Sequence, residues 1–309
     1  MAMAETVEAE VAGIGFRFVS KSKPFSTESR CLKGFAVNAL RLDDVVSVNC
    51  REVKALDAIP LVSEFSAVQS EDCFDPCRWS VGRSADGSEV IRVDYFDHTR
   101  RLLSVQCILT SPSSADVSLV QSADCDVLHI YSFPFFNLLL SRLLLRRDGF
   151  LIHSSAVRYA GRGLLFTAQS GTGKSTMARL WANRGASIVN DDMNAVRSYS
   201  SDSGCRTAVY NIPMPAYNQH PREAELACAF RISQSPDNHL SPLKGIQVLS
   251  AVMPGVIQQP FDKASTLSTV KSVSSALQSV SSAAVGFNLS TDPDSDIVSA
   301  VVNFYGLNV

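Results

Sequence analysis

Apolar and polar positions along the chain fall into two regimes. From Gly15 to about Leu128 they form short runs with polar punctuation, the pattern of strands. Gly15–Val19 alternates. Val45–Val48, Trp79–Val81, Val90–Tyr95, Leu102–Leu109 and Val117–Val120 are the clearest further strands, with Asp86-Gly87 as a hairpin turn between two of them. Met1–Glu10 reads as a frayed terminus. Phe133–Arg147 is a nearly unbroken apolar run and predicts a buried helix, capped at Gly149, that joins the two halves.

Beyond Gly149 strands and helices mix. Phe150–Tyr159 and Gly163–Ala168 predict two strands around a turn at 160–163. Ser175–Arg184 predicts a helix with Met177, Leu180 and Trp181 on one face, stopped at Gly185. Ala186–Asn190 predicts a short strand, and Met193–Tyr199 with Cys205–Tyr210 a hairpin. Asn211–His220 is a proline-containing loop, and Leu226–Ile232 a strand. Ser265–Ala284 is serine-rich, with Leu267, Val270, Val273 and Leu277 at helical spacing, and predicts an amphipathic helix. Val285–Leu289 is a last strand and Ser295–Phe304 a last helix. Strands that return as hairpins imply a mixed sheet. The expected fold class is therefore α/β. A mostly β N-terminal domain over 1–128, read as a recognition domain for substrate or partner, precedes a mixed-sheet domain over 129–309.

Composition narrows the function classes. The 309 residues are 46% hydrophobic and 19% charged, which suits a globular chain with a real core. A net charge of −2 provides no general basic field, so nucleic acid is not an expected partner. The apolar run at 133–145 is short of the roughly 20 residues that span a bilayer, and Asn137, Ser141 and Arg142 interrupt it, so no membrane partner is expected. Glu5, Glu8 and Glu10 stand where a secretory leader needs basic and then apolar residues. With eight scattered cysteines, this reads as reduced thiols in a cytoplasm. The one close pair, Cys73 and Cys77, is a weak zinc signal and reads better as structural thiols.

The chemistry concentrates at Ala168-Gln169-Ser170-Gly171-Thr172-Gly173-Lys174-Ser175. This is the phosphate-binding pattern G-x-x-x-x-G-K-[ST] with alanine in place of the first glycine. Gly171 and Gly173 let backbone N–H groups close around phosphate oxygens. Lys174 would lie against the β- and γ-phosphates, and the Ser175 hydroxyl would coordinate Mg²⁺. A strand before the loop and a helix after it aim a helix N-terminus at the phosphate. Ser170, Gly171, Thr172, Gly173, Lys174, Ser175 and Thr176 are the candidate nucleotide contacts. Asp191-Asp192 follows a strand, at the edge where α/β sheets bind ligands. Such a carboxylate can hold Mg²⁺ or accept a hydroxyl proton; the alternative is an Asp turn into the hairpin. His153 shares a strand face with Leu151, Ser155 and Val157. It either approaches the γ-phosphate or is a core histidine bonded to backbone.

Together His153, the loop, Arg184-Gly185 and Asp191-Asp192 resemble the signature of the HPr kinase/phosphorylase family, whose core is shared with ATP-type phosphoenolpyruvate carboxykinases. The resemblance covers about Gly149–Val196 and runs on more loosely through Leu240–Leu243 to Phe287–Asp294. It implies ATP and Mg²⁺ as cofactors and phosphate transfer to a serine hydroxyl of a peptide, protein or small molecule. It also implies Lys174 on the phosphates, Ser175 and Asp191 on the metal, Asp192 as general base and His153 orienting the phosphate. Relatives in this family often form oligomers, so a homo-oligomer is an expectation. The glutamate-bearing glycine motif of the bifunctional enzymes is missing, with Asn211–Tyr217 in its region. A downstream arginine is not recognisable, and Arg222, Glu223 and Glu225 are its candidate substitutes. These departures argue against phosphorylase activity and against HPr as acceptor. They fit the divergent serine-kinase branch, and they motivate an alternative: a catalytically silent nucleotide-binding regulator or assembly factor. A carboxykinase-like activity on a small carboxylic acid lacks the arginine cluster it would need.

Overall fold

The computed structural model describes residues 5–25, 32, 34–69, 76–97, 100–122, 127–131, 133–201, 204–214, 222–288 and 297–307. Contacts divide the chain into two units. One is Met1–Leu143 with Pro213–Asn218 and Gln259–Leu267; the other is Leu144–Ile212, Gln219–Gln258 and Ser268–Val309.

The first unit is built on strands β1 (Glu5–Val11), β2 (Ile14–Ser20), β3 (Ala36–Val37), β4 (Val45–Glu52), β5 (Leu61–Gln69), β6 (Cys77–Ser84), β7 (Glu89–Asp97), β8 (Arg100–Ser111) and β9 (Ser114–Gln121). Among the described residues they form one sheet in the order β3-β1-β2-β4-β9-β8-β7-β6-β5. The β2–β4 and β4–β9 pairs are parallel and the others antiparallel. The expected frayed terminus is instead strand β1 from Glu5 onward; residues 1–4 lie outside the described residues. Ala12 (φ 52°) and Gly13 (φ 70°) turn β1 back along β2. Its acidic residues have partners: Glu8 takes Arg17 Nε at 2.8 Å, and the Glu10 carboxylate accepts the Arg41 N–H at 2.8 Å. Strand β5 was also unforeseen, because its polar residues hide its alternation. Helix α1 (Phe135–Leu145) lays Phe136 against Phe16 and Phe18, ring centroids 5.3 and 6.3 Å apart. Farther along it, Arg142 is buried against Glu89.

The second unit contains β10 (Gly149–Tyr159), β11 (Arg162–Thr167), α2 (Lys174–Ala182), β12 (Ser187–Asn190), β13 (Met193–Ser201), β14 (Gly204–Asn211), β15 (Glu223–Gln234), β16 (His239–Pro242), α3 (Ile246–Val252), α4 (Lys263–Leu277, its first part in the first unit), β17 (Ser281–Phe287) and α5 (Ile297–Tyr305). The sheet is mixed: β11–β15 and β15–β17 are parallel, while the hairpins β10–β11 and β13–β14 are antiparallel. Pairing runs β10-β11-β15-β14-β13 and back to β10, so these strands close a ring. Strand β12 adds to β10, and β17 with β16 adds to β15. On one side Phe166, Phe230 and Phe287 pack against Met177 and Trp181 of α2 and Val298 of α5. On the other, Ile152, Leu165 and Val196 pack with Val252, Val273 and Leu277. Alternation along β10 decides which residues face which layer.

Two expectations change here. The helix expected over Ser265–Ala284 ends at Leu277, because 281–287 is strand β17, held between β15 and β16. Leu267 is 57% exposed and lies off the buried stripe of Val273, Ala276 and Leu277. The short elements β16 and α3 were not foreseen. Of the loop Asn211–His220, residues 215–220 lie outside the described residues, as do Leu289–Asp294 and Cys73. Cys77 is a buried thiol on β6. Among the described residues no helix is long and apolar enough to cross a membrane.

Candidate functional site

The site is the end of the second unit's sheet where β11 and β12 terminate. Strand β11 runs Gly-Leu-Leu-Phe-Thr and releases the chain at Ala168. The loop then turns on Gly171 (φ 78°) and Gly173 (φ 113°), values that favour glycine. A Cβ on Gly173 would also meet Phe287 Cζ at 3.0 Å. Gly173 is the N-cap of α2 and offers no side-chain acceptor, so the first N–H groups of the helix have no capping side chain. That is the arrangement in which a helix N-terminus receives an anion. The Thr172 N–H reaches Gln169 O at 3.4 Å within the loop. Gly185 (φ 86°) ends the helix as expected.

Lys174 is 6% exposed. Its Nζ donates to the carbonyls of Ala168 and Gln169, both at 3.3 Å, so it folds back under the loop. Burial lowers its pKa, and the Asp192 charge opposes that shift. Ser155 of β10 donates its hydroxyl to Lys174 O at 2.8 Å and so ties the start of α2 to the sheet. Ser175 Oγ lies 3.4 Å from Asp191 O, which joins the loop to the acidic turn. His153 and Asp192 approach each other at 3.7 Å (Nε2 to Oδ1), both about 42% exposed. Burial and the Lys174 charge lower the His153 pKa, with Asp192 opposing. The imidazole is therefore neutral near pH 7 and contributes a dipole and a nitrogen rather than a cation. The alternation that set His153 with Leu151, Ser155 and Val157 holds: Ser155 reaches α2, and Val157 packs in the layer containing α2.

Several positioning residues carry no motif and were missed. Asn190, fully buried, accepts the backbone N–H groups of Asp192 (2.9 Å) and Met193 (3.1 Å) through Oδ1 and donates to Asn211 Oδ1 at 3.0 Å. This shapes the turn that presents Asp192. Asn194, also buried, donates to Ser154 O at 2.8 Å, and the Ser154 N–H donates to Asp192 O at 3.0 Å. The aspartate turn is thus bonded to the residue next to His153. Only the two-residue spacing of Asn190 before Asp192, an Asx-turn signal, was visible in sequence. On the other face, the 3₁₀ turn Met253–Gly255 passes so close to β10 and β11 that a Cβ on Gly255 would overlap Thr167 Oγ1 and lie 3.2 Å from His153 O.

Of the candidate substitutes for the missing arginine, Arg222 precedes β15, and its carbonyl accepts the N–H of Asn211, the residue that holds Asn190, at 3.0 Å. Glu223 and Glu225 open β15, where Glu225 pairs in register with Arg162 at the start of β11. The loop leaves β11 at the opposite end. There the residue in register with Thr167 is Arg231, exposed and one strand away from the loop entrance. Among the described residues there is no cluster of three His, Cys, Asp or Glu suited to a metal. The donors present are the Ser175 hydroxyl and the Asp191 and Asp192 carboxylates. These hard oxygens suit Mg²⁺, which commonly takes one or two carboxylates and completes its shell with phosphate and water.

No family profile matches the chain, and no curated protein matches it. Among solved structures it is similar to the Hpr(Ser) kinase/phosphatase from Coxiella burnetii, with 10% identity, over 51% of this chain and 96% of that chain, at a TM-score of 0.28. At that level the likeness decides neither fold nor activity. The chain itself is an α/β protein with mixed sheets.

Proposed function

We propose that the second unit is an ATP- and Mg²⁺-dependent phosphotransferase, an HPr-kinase-like serine kinase acting on a serine hydroxyl of a peptide, protein or small molecule. The observation that carries this reading is convergence at one sheet end. A glycine loop opening an uncapped helix, a buried lysine whose Nζ donates to loop carbonyls, and a paired-aspartate turn bonded beside His153 all meet there.

In this reading the N–H groups of 171–175 receive the phosphate oxygens, and Lys174 turns from its carbonyls to the β,γ-phosphates. The acceptor hydroxyl oxygen attacks the γ-phosphorus, the bond to the β,γ-bridging oxygen breaks, and ADP leaves. The hydroxyl proton passes to the Asp192 carboxylate. His153 orients the transferred group and the carboxylate. Bound Mg²⁺, held by Ser175 and Asp191, would supply neutralisation of the phosphate charge. Arg231 is the cation one strand away that can meet the transferred group or the acceptor.

Calorimetry with MgATP tests the binding half. Wild type should bind, and Lys174→Ala should lose binding. Failure with both ATP and ADP would sink the kinase reading. Mass spectrometry of serine peptides and free serine tests the transfer half, with Asp192→Asn as the variant that still binds. Binding without any phosphorylated product would favour the silent regulator.

A further inference from the structure

Strand β5 is the outer strand of the first unit's sheet, paired on one side with β6, and no described strand covers its other edge. Its register with β6 shifts between Leu61 and Ser63, which leaves Val62 without a β6 partner. Val62 is 68% exposed and Val68 75%, the largest exposures in the strand's apolar set. Long uncovered edges are normally guarded by lysine, proline or a charge turned inward. Here Leu-Val-Ser-Glu-Phe-Ser-Ala-Val-Gln carries a single charge, Glu64, and neither lysine nor proline.

The pattern is self-complementary about its centre. If two copies pair antiparallel with the two-fold axis at Phe65, each Val62 stands opposite a Val68. Each Glu64 stands opposite a Ser66, each Ser63 opposite an Ala67, and Phe65 meets its own copy. Both exposed valines are covered by each other, and no like charges stand directly opposite. Positions of the same parity meet, so the N–H and C=O groups that β6 leaves free face the same set on the second copy. A closed two-fold contact needs a patch that complements itself in this way. A foreign peptide would have no reason to match this symmetry.

We propose that β5 is a homodimer interface, in which two copies of this chain join their first-unit sheets edge to edge by antiparallel pairing centred on Phe65.

Sedimentation equilibrium of the full chain, without nucleotide, tests this across the micromolar range. Wild type should shift reversibly from the mass of one chain to that of two. Val62→Lys combined with Val68→Lys places like charges opposite each other twice and should weaken association by about tenfold or more. Val62→Lys combined with Val68→Glu places opposite charges there and should restore it, most strongly at low salt. Amide exchange at 61–69 should slow as concentration rises. A wild type that stays one chain throughout overturns the proposal. So does a dimer as tight in the double-lysine variant as in wild type, or a dimer with no added protection at 61–69. Both substituted positions are exposed, so circular dichroism should be unchanged, and nucleotide binding by the second unit reads out separately.

Discussion

Two of the buried cations, Arg142 in the first unit and Lys174 in the second, are satisfied in opposite ways. In the first, Arg142 is closed. Its Nε and Nη2 donate to the two Glu89 oxygens at 2.9 and 3.2 Å, Nη1 reaches Ser265 Oγ at 3.3 Å, and the guanidinium lies 4.9 Å from the Phe261 ring centroid. In the second, Lys174 is open. Among the described residues its Nζ donates to two loop carbonyls at 3.3 Å, and the nearby carboxylate of Asp192 is spent neither on it nor on a short bond to His153. A bidentate buried pair is a structural element that tolerates the loss of neither partner. A lysine held by neutral carbonyls can exchange them for phosphate with little rearrangement. The comparison teaches that burial of a charge does not mark function; what its partners leave unmet does.

Four substitutions sharpen or break this contrast. The largest effect is expected for Asp192→Asn, which should lower single-turnover phosphate transfer by on the order of 10³-fold while leaving MgATP affinity nearly unchanged. Unimpaired transfer would remove Asp192 from the role of base. Next, Arg142→Met should cost about 3 kcal/mol in urea denaturation, because the buried Glu89 carboxylate loses both short guanidinium bonds and keeps Arg83 at 3.8 Å. Lys174→Met should cost about 1 kcal/mol or less, since only weak neutral partners are lost. Equal losses at the two sites would erase the distinction between closed and open. Asn190→Ala frees two backbone donors and should cost about 1–3 kcal/mol. It should also slow transfer more than it weakens nucleotide binding, and the reverse order would place Asn190 outside the site's geometry.

The smallest effect concerns acid. The folded-state pKa of His153 lies below the ordinary 6.5, so folding favours the neutral ring. Stability from this source is present above pH 6.5 and is lost as pH falls through the folded value. His153→Gln should therefore flatten the decline in melting temperature below pH 6.5, by roughly 1 °C because the ring is part-exposed. His129, whose pKa burial also lowers, contributes equally to both proteins and cancels. An unchanged acid limb would show that neither burial nor the Lys174 charge holds the His153 pKa down.

The loop at 168–175, the helix after it, a turn within 160–163 and the hairpin of Met193–Tyr199 with Cys205–Tyr210 were legible in the sequence. Each depends on neighbours a few residues apart: positive-φ glycines, a period of 3.6, an alternation of two. The juxtaposition of His153 with Asp192 could be anticipated, but its distance and the neutral state of the ring depend on burial. Strand β1, edge strand β5 and the early end of α4 were decided by partners far along the chain, since a strand takes its pairing from wherever the sheet supplies it. Asn190, Asn194 and Ser155 look like ordinary polar residues until the fold buries them against the aspartate turn and α2. Arg231 gains its position from parallel register with β11, and Gly255 its necessity from passing over Thr167. The sequence by itself determined the chemistry the chain carries and the local turns that present it. The tertiary structure alone decided which of those groups stand together, because side-chain partnership across a sheet is set by register, and register is a property of the whole assembly of strands.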